Sequence, residues 1–158
     1  MKERFDAPCG IYCGACFVLM ARKRGGLEEL ASKWNCKPEQ LVCYGCKSGQ
    51  ISESCKPCKI RPCAESKGYE FCNQCDEFPC KMTASFPEHK KIKPHLALIF
   101  KDLESISEKG KESWLSEQAE RWSCKKCGTS FSWYDEVCTK CGSKLYNAKD
   151  EAADLDLL

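Results

Sequence analysis

Sixteen cysteines, about a tenth of the 158 residues, constrain this chain more than any other feature. Most of them stand in C-x-x-C pairs, whose two sulfur atoms can reach a single metal ion. Charged residues make up 30% of the chain and the mean hydropathy is −0.51, so the apolar core is small for this length. Disulfides or metal sites must therefore supply part of the folding free energy.

The N-terminus favours metal over disulfides. Residues 1–10 are charged, include Pro8 and contain no apolar run, which predicts that the chain has no signal peptide. No segment approaches the roughly 20 apolar residues that a membrane span needs. We therefore expect a cytoplasmic protein without a membrane partner, in which thiols stay reduced and C-x-x-C pairs bind metal.

The formal net charge of +2 gives no argument for nucleic-acid binding. Each Zn²⁺ held by four thiolates contributes a net −2, so four such sites would lower the total from +2 to −6. A nucleic-acid partner would have to be recognised by a local basic patch.

The strongest motif is a pair of C-x-x-C-G segments separated by ten residues. Its candidate ligands are Cys124, Cys127, Cys138 and Cys141. Two such turns predict a closed tetrahedral S4 site, and the segment resembles a zinc ribbon. Rubredoxins share the paired motif and bind iron, but they separate the two halves by a longer stretch, so zinc is favoured. A full coordination sphere predicts a structural ion.

The residues around this module allow two roles. Aromatic and β-branched residues between the two halves predict a small hairpin. The motif carries four lysines and two aromatic residues that would suit nucleic acid: Lys125, Lys126, Lys140, Lys144, Trp133 and Tyr134. Docking to a protein, or simple stiffening of the chain, is the favoured alternative.

A repeated cysteine motif dominates the first half of the chain. C-x2-C-x4-C occurs twice, each time ending in Pro-Cys, with an offset of 17 residues. The N-terminal candidate ligands are Cys9, Cys13, Cys16, Cys43, Cys46, Cys55, Cys58, Cys63, Cys72, Cys75 and Cys80. The order CGIYCGAC, CYGCKSG, CKPCKIRPCAESKG, CNQCDEFPC resembles the domain-of-unknown-function family 3795, over about residues 8–82. That resemblance implies metal binding, presumed to be zinc, and no established activity.

Eleven ligands do not fill a whole number of four-thiolate sites. Cys36, His89 or His95 would complete a third site, although Cys36 equally suits a small buried apolar residue and both histidines suit the surface. Three thiolates on one ion would instead leave a position open for substrate, so an enzyme with an open site at Cys9, Cys13 and Cys16 is a further hypothesis.

The opening C-x3-C-x2-C spacing also occurs in radical S-adenosylmethionine enzymes. Those enzymes need most of a barrel of about 200 residues, and this chain shows no alternation of strands and helices. The residue before the third cysteine is usually aromatic there and is Ala15 here, so we reject this interpretation. Zinc is our first choice for the N-terminal cysteines, and a [4Fe–4S] cluster is the alternative.

The remaining sequence predicts helices. Residues 15–23 and 27–34 suit two helices, the second amphipathic, and Pro38 suits the start of one more turn. Residues 43–80 show no period and predict loops. Residues 86–122 lack cysteine and carry two apolar stripes, which predict a helical hairpin or a bent connector that packs on the N-terminal part.

We therefore predict a small metal-stabilised α+β protein. Its segments are a cysteine-rich loop and helix domain (1–85), a helical connector (86–122), a zinc ribbon (123–146) and an acidic tail (147–158) that is disordered or forms a weak partner helix. The expected function is a non-enzymatic zinc-binding protein, a protein-interaction module with an unidentified protein partner. The alternatives are an iron–sulfur protein for electron transfer or cluster handling, and a nucleic-acid-binding zinc-ribbon protein.

Overall fold

A computed structural model of the chain describes residues 1–155. Its α-helices are α1 (Phe17–Arg24), α2 (Leu27–Trp34), α3 (Ile60–Lys67), α4 (Ile99–Lys109), α5 (Lys111–Arg121) and α6 (Ala148–Asp154). Short 3-10 helices lie at Cys13–Ala15, Pro38–Leu41, Glu53–Cys55, Cys72–Gln74, Pro87–Lys91 and Pro94–Leu96. Within residues 1–155 the β-structure consists of three isolated antiparallel bridges, so the protein is mostly helical rather than α+β. In that part of the chain no helix has the length and apolar character of a membrane span.

The first two helices confirm the sequence prediction. Helix α1 ends at Gly25, whose φ of 73° is the left-handed conformation that glycine adopts readily. Helix α2 covers the predicted residues 27–34, and the following 3-10 turn has Pro38 at its first position. Val18, Ala31 and Leu41 from these three elements form a small apolar cluster.

Helix α3 was not predicted, because residues 43–80 show no apolar period. Its one buried residue is Ala64, and Gly68 ends the helix at a φ of 73°. A helix that buries a single alanine carries no detectable stripe, so local pattern analysis misses it. Helix α3 begins inside the first copy of the cysteine repeat and ends before the second copy. It carries the last cysteine of the first copy, Cys63.

Helices α4 and α5 form the predicted hairpin, which breaks at Gly110. The α4 stripe is buried as expected, with Ile99, Leu103 and Ile106 in the core. The α5 stripe is only partly confirmed. Trp114 is fully buried, but the buried residue one turn later is Gln118 rather than Ala119, which is exposed. Gln118 is buried because its side chain bonds to a carboxylate on α4 and to the indole of Trp122.

One apolar core joins the three parts of the chain. It contains residues from the opening cysteine motif, the α4–α5 hairpin and the C-terminal module: Tyr12, Ala15, Phe71, Leu96, Ile99, Leu103, Ile106, Trp114, Trp122, Cys124, Phe131, Trp133, Cys138, Leu145 and Ala148. The predicted packing of the connector on the N-terminal part is therefore observed. The shared core explains how a chain with few apolar residues still excludes water from several large side chains.

Trp133 holds the C-terminal module against the opening motif. Its backbone N–H donates to the carbonyl of Ala15 at 3.0 Å. Its ring is buried, lies edge-on to Phe17, and stacks on His95 with centroids 4.1 Å apart and planes 2° from parallel. His95, a residue of the helical connector that was predicted to lie at the surface, is therefore half-buried against this module. His89, in contrast, is exposed as predicted.

The tail, expected to be disordered or to form a weak partner helix, forms helix α6 over Ala148–Asp154. Helix α6 begins after Asn147, whose side chain accepts hydrogen bonds from the backbone N–H groups of Lys149 and Asp150. Ala148 and Ala152 are buried, and Arg121 of α5 forms an ion pair with Glu151 of α6. The last three residues, 156–158, lie outside the described residues, so the prediction for the end of the tail is not addressed by this structure.

We expect protonation of His95 to destabilise the fold. Burial, with a smaller effect from Lys93, lowers the pKa of His95 to about 4, below its ordinary value near 6.5. Between these values the unfolded chain binds a proton that the native chain does not, so stability falls as the pH drops. From about pH 7 to about pH 5 the free energy of unfolding should fall by about 2 kcal/mol more in the native sequence than in His95→Phe.

Denaturant unfolding at the two pH values measures this difference. Both proteins contain the same cysteines, so acid effects on thiols cancel in the comparison. An equal pH dependence in the two proteins would show that the buried imidazole does not limit acid stability.

Candidate metal centre

The C-terminal module consists of two turns that repeat the same backbone hydrogen bonds with an offset of 14 residues. Cys124 N–H donates to the Thr129 carbonyl at 2.9 Å, and Cys138 N–H donates to the Ser143 carbonyl at 2.9 Å. The N–H groups of Gly128 and Gly142 close each turn at 2.8 and 2.9 Å, and both glycines have a φ of 70°. Glycine is needed there because this left-handed conformation strains other residues. The predicted hairpin between the turns is absent from this module.

The two turns bring four sulfur atoms together. Cys124 Sγ lies 3.6 Å from Cys141 Sγ, and Cys127 Sγ lies 3.5 Å from Cys138 Sγ. All four sulfurs lie within 4.8 Å of one another. A tetrahedral ion with metal–sulfur bonds of about 2.3 Å needs sulfurs about 3.8 Å apart, which is close to these separations. The predicted set Cys124, Cys127, Cys138 and Cys141 can therefore hold one metal ion.

Two hydroxyl residues lower the pKa of two of the four cysteines in the module. Hydrogen bonding between Cys141 Sγ and the Ser143 hydroxyl, 3.3 Å away, and with the Ser143 backbone N–H lowers the pKa of Cys141 to about 6. The hydroxyl and backbone N–H of Thr129 likewise lower the pKa of Cys127. Since metals bind the thiolate, these contacts favour binding at neutral pH.

The sequence prediction missed Thr129 and Ser143. A signal for them was present, because both halves of the motif read C-G followed by a hydroxyl residue. The side-chain contact depends on the turn geometry, which places each hydroxyl beside the sulfur that precedes it.

The surroundings of the module are those of a closed site. Cys124 and Cys138 are buried at 3% exposure each. Trp122 packs edge-on against Phe131, and both belong to the shared core. Four sulfurs would fill the coordination sphere of a tetrahedral ion and leave no position open, so the arrangement suits a structural ion.

The eleven N-terminal cysteines fall into two neighbouring groups. One, the opening group, contains Cys9, Cys13, Cys16, Cys43, Cys46, Cys55 and Cys58. Burial and, to a smaller extent, neighbouring thiols raise the pKa of Cys9, Cys13, Cys16, Cys46 and Cys55. Cys72 of the other group also contributes to the raised pKa of Cys9. The other, the cavity group, contains Cys63, Cys72, Cys75 and Cys80, which line one cavity. The cysteine repeat is thus divided, since its first copy contributes to both groups. Among residues 1–155, only the C-terminal four sulfurs approach one another within 4.8 Å as a set of three or more.

Backbone N–H groups point at sulfur in the N-terminal part as well. Gly45 N–H donates to Cys43 Sγ at 3.4 Å, and the same contact two residues along the chain reaches Cys9, Cys16 and Cys80. The N–H of Cys46 donates to Cys13, which connects the first two motifs. These contacts repeat those of the C-terminal turns and favour thiolates.

Burial opposes ionisation of the opening group. It raises the pKa of Cys16 to about 11 and that of Cys46 to about 12, and it raises the pKa of Cys9 and Cys13 further. The guanidinium of Arg61 partly offsets this effect at Cys46. Buried thiols that already accept N–H bonds become thiolates when a cation replaces their protons.

The additional candidate ligands lie elsewhere. Cys36 packs against the apolar cluster of α1 and α2, as a small apolar residue does. His95 is occupied by Trp133 and by a hydrogen bond between its Nδ1 and the Tyr134 hydroxyl. All sixteen cysteines are free of disulfides.

The site and its setting define a cysteine-rich protein with a four-cysteine cluster that can bind a metal ion. The chain matches the family described as "Protein of unknown function (DUF3795)" over residues 5–85, about half its length, and it belongs to that family. The match contains all eleven N-terminal candidate ligands and ends before the C-terminal module. No curated protein and no solved structure matches the chain significantly.

The double variant Thr129→Ala and Ser143→Ala should bind metal more weakly in acid. Without the two hydroxyls the pKa of Cys127 and Cys141 rises, so more protons compete with the ion as the pH falls. We expect roughly tenfold weaker zinc binding at about pH 6 and a smaller loss at about pH 8. Competition with a chromophoric chelator at both pH values measures the affinity.

Thr139→Ala is the matched control, because Thr139 is an exposed hydroxyl residue in the same module. An equal loss at the two pH values, or no loss at all, would contradict a role of Thr129 and Ser143 in deprotonating the sulfurs.

Proposed function

We propose that this chain is a non-enzymatic zinc-binding protein whose C-terminal module is a zinc ribbon. The observation that carries the proposal is the set of four sulfurs at Cys124, Cys127, Cys138 and Cys141, spaced as a tetrahedral ion requires. Four thiolates suit Zn²⁺, which has no geometric preference of its own and accepts the tetrahedron that the turns offer.

The proposed zinc ion stabilises the fold by holding the two C-terminal turns together. The two turns contribute Cys124 and Cys138 to the shared core, and the loop between them carries Trp133, which contacts the opening motif. If the sulfurs separate, Trp133 loses its fixed position between His95 and Ala15. A structural zinc therefore links the C-terminal module to the N-terminal domain.

The N-terminal opening group is proposed to bind metal too, with zinc as the first choice. Its support is the repeated N–H contact to sulfur and the burial of several thiols close to one another, with the guanidinium of Arg61 nearby. A bound metal ion would replace the protons of these thiols, and its bonds to sulfur would offset the cost of burying them. This site, like the first, is proposed to be structural.

A protein is the proposed partner. The C-terminal module borders a cavity of about 620 Å³ with Phe131, Leu145 and Tyr146 on its apolar side and Lys126 and Lys144 at its edge. Tyr146 and Val137 are exposed large side chains beside it, at 56% and 54%. Aromatic residues such as these are enriched at the cores of protein interfaces. A cytoplasmic location is part of the same proposal.

Nucleic acid is the less favoured partner, because the aromatic pair it would need is occupied. Trp133 is 6% exposed and stacked on His95, and Tyr134 is hydrogen-bonded to the same residue. Bases stack on exposed aromatic faces, so Trp133 and Tyr134 do not offer these four lysines the platform that single-strand binding requires.

Cys138→Ser tests the zinc proposal. We expect the zinc content of the purified chain to fall by about one ion and the thermal unfolding temperature to drop, because three ligands hold Zn²⁺ less tightly than four. Elemental analysis and calorimetry measure both. Cys36→Ser is the control and should retain all its zinc, since Cys36 lies in an apolar cluster. Unchanged zinc content in Cys138→Ser would refute the ribbon.

A second measurement separates the partner classes. We expect no retardation of mixed-sequence single-stranded DNA or RNA oligonucleotides by the zinc-loaded chain at moderate salt. Retardation that weakens steeply with salt, and that is lost when Lys126 and Lys144 are changed to Glu, would overturn the preference for a protein partner.

A further inference from the structure

The cavity group surrounds a second space that the proposed zinc ribbon does not use. The cavity has a volume of about 500 Å³ and is lined by all four sulfur-bearing residues of the group, Cys63, Cys72, Cys75 and Cys80. Helix α3 supplies the first, the 3-10 turn at Cys72–Gln74 begins with the second, and the other two follow that turn. Apolar side chains of Ile60, Ala64, Phe78 and Met82 form part of the wall, and polar side chains form the rest: Lys67, Tyr69, Glu77, Lys81 and Thr83.

The four thiols are held by different parts of the fold. Cys72 N–H donates to the Pro8 carbonyl at 2.8 Å, which fixes the second repeat to the N-terminal segment. The Asn73 side chain donates to the Leu103 carbonyl at 2.8 Å, which fixes the same turn to α4. These two hydrogen bonds fix the turn that carries Cys72 on two sides, so that the turn stays at the wall of the cavity.

The spacing of these sulfurs differs from that of the C-terminal module. In the module, four sulfurs lie within 4.8 Å of one another, whereas no three sulfurs of the cavity group do so. A single zinc ion needs every sulfur about 2.3 Å from one centre. Four thiolates around an open space instead suit a polynuclear centre, in which each sulfur binds a different metal atom.

Polar groups point at two of the sulfurs. Lys67 Nζ lies 3.6 Å from Cys75 Sγ, and the same group donates to the Glu77 carboxylate at 2.7 Å. The backbone N–H groups of Met82 and Thr83 donate to Cys80, and the Thr83 hydroxyl lies 3.8 Å from the same sulfur. Hydrogen bonds and cations of this kind stabilise the thiolates of iron–sulfur clusters and tune their reduction potential.

We propose that Cys63, Cys72, Cys75 and Cys80 bind a [4Fe–4S] cluster in this cavity. The four thiols lose their protons to solvent, and each sulfur forms one bond to one iron atom. Since every iron then has a protein ligand, none is open to a substrate, and the cluster serves electron transfer. The inference is independent of the zinc ribbon, which uses different cysteines and a different part of the fold.

Anaerobic reconstitution of the full chain with sulfide and equal amounts of ferrous and ferric iron, the two oxidation states that a [4Fe–4S]2+ core contains in equal number, tests the proposal. We expect absorbance near 400 nm and about four iron atoms and four sulfide ions per chain. Cys72→Ser and Cys75→Ser should each lose most of this iron, while Cys36→Ser retains it. Zinc content is measured in the same samples, so a failed ribbon and a failed cluster give separate results.

Lys67→Ala provides a variant that keeps all four ligands. It should bind the same amount of iron, but its cluster should accept an electron from dithionite at a lower potential, because a cation beside Cys75 is lost. Lys33→Ala removes an exposed lysine of α2 and should not change the potential.

A colourless reconstituted chain, or iron content unaffected by both Cys72→Ser and Cys75→Ser, would overturn the proposal. A potential that shifts equally in Lys67→Ala and Lys33→Ala would place the cluster away from this cavity and overturn it as well. Circular dichroism of each variant identifies any loss of fold.

Discussion

The C-terminal half of the structure depends on the close approach of its four cysteine sulfurs. They lie nearer to one another than unbound thiolates would, because like charges repel. Two turns of the same design set Cys124 beside Cys141 and Cys127 beside Cys138 at 3.6 and 3.5 Å. Thiolates at such distances repel one another unless a cation lies between them. The hydroxyls and N–H groups around the sulfurs lower the cost of ionisation only in part, and a metal ion held at this cluster would offset the rest.

The effect of this module extends beyond its own residues. The loop between the turns carries Trp133, which packs on His95 and bonds to Ala15 in the opening cysteine motif. The α4–α5 hairpin lies against both, and α6 is joined to α5 by the pair Arg121–Glu151. Three segments that look separate in the sequence thus share one apolar core. This shared core stabilises a chain that has little apolar surface.

Two kinds of sulfur environment occur in the same molecule. The C-terminal module brings its sulfurs into one tight set, while the cavity group keeps its four around a space of about 500 Å³. The difference has a structural origin. Each C-terminal turn is closed by its own backbone bonds, whereas Cys72 and its neighbours are anchored outward to Pro8 and α4. Similar C-x-x-C motifs therefore need not bind the same metal centre.

The sequence alone determined the features that depend on nearby residues. The motif C-x-x-C-G, repeated with a short spacer, identified the four C-terminal cysteines whose sulfurs cluster. Apolar periodicity identified α2 and the α4–α5 hairpin, because these signals act within one or two turns. Helix α3 buries a single alanine and left no period, and the tail became a helix because Asn147 caps it and α5 supplies Arg121.

Only the tertiary structure decided which N-terminal cysteines lie together. The two copies of C-x2-C-x4-C look equivalent, yet Cys55 and Cys58 join the opening group while Cys63 faces Cys72 across a cavity. That division follows from contacts between distant segments, as does the burial of His95 under Trp133. Spacing along the chain fixes which sulfurs can share a turn, but packing between turns fixes which of them can share an ion.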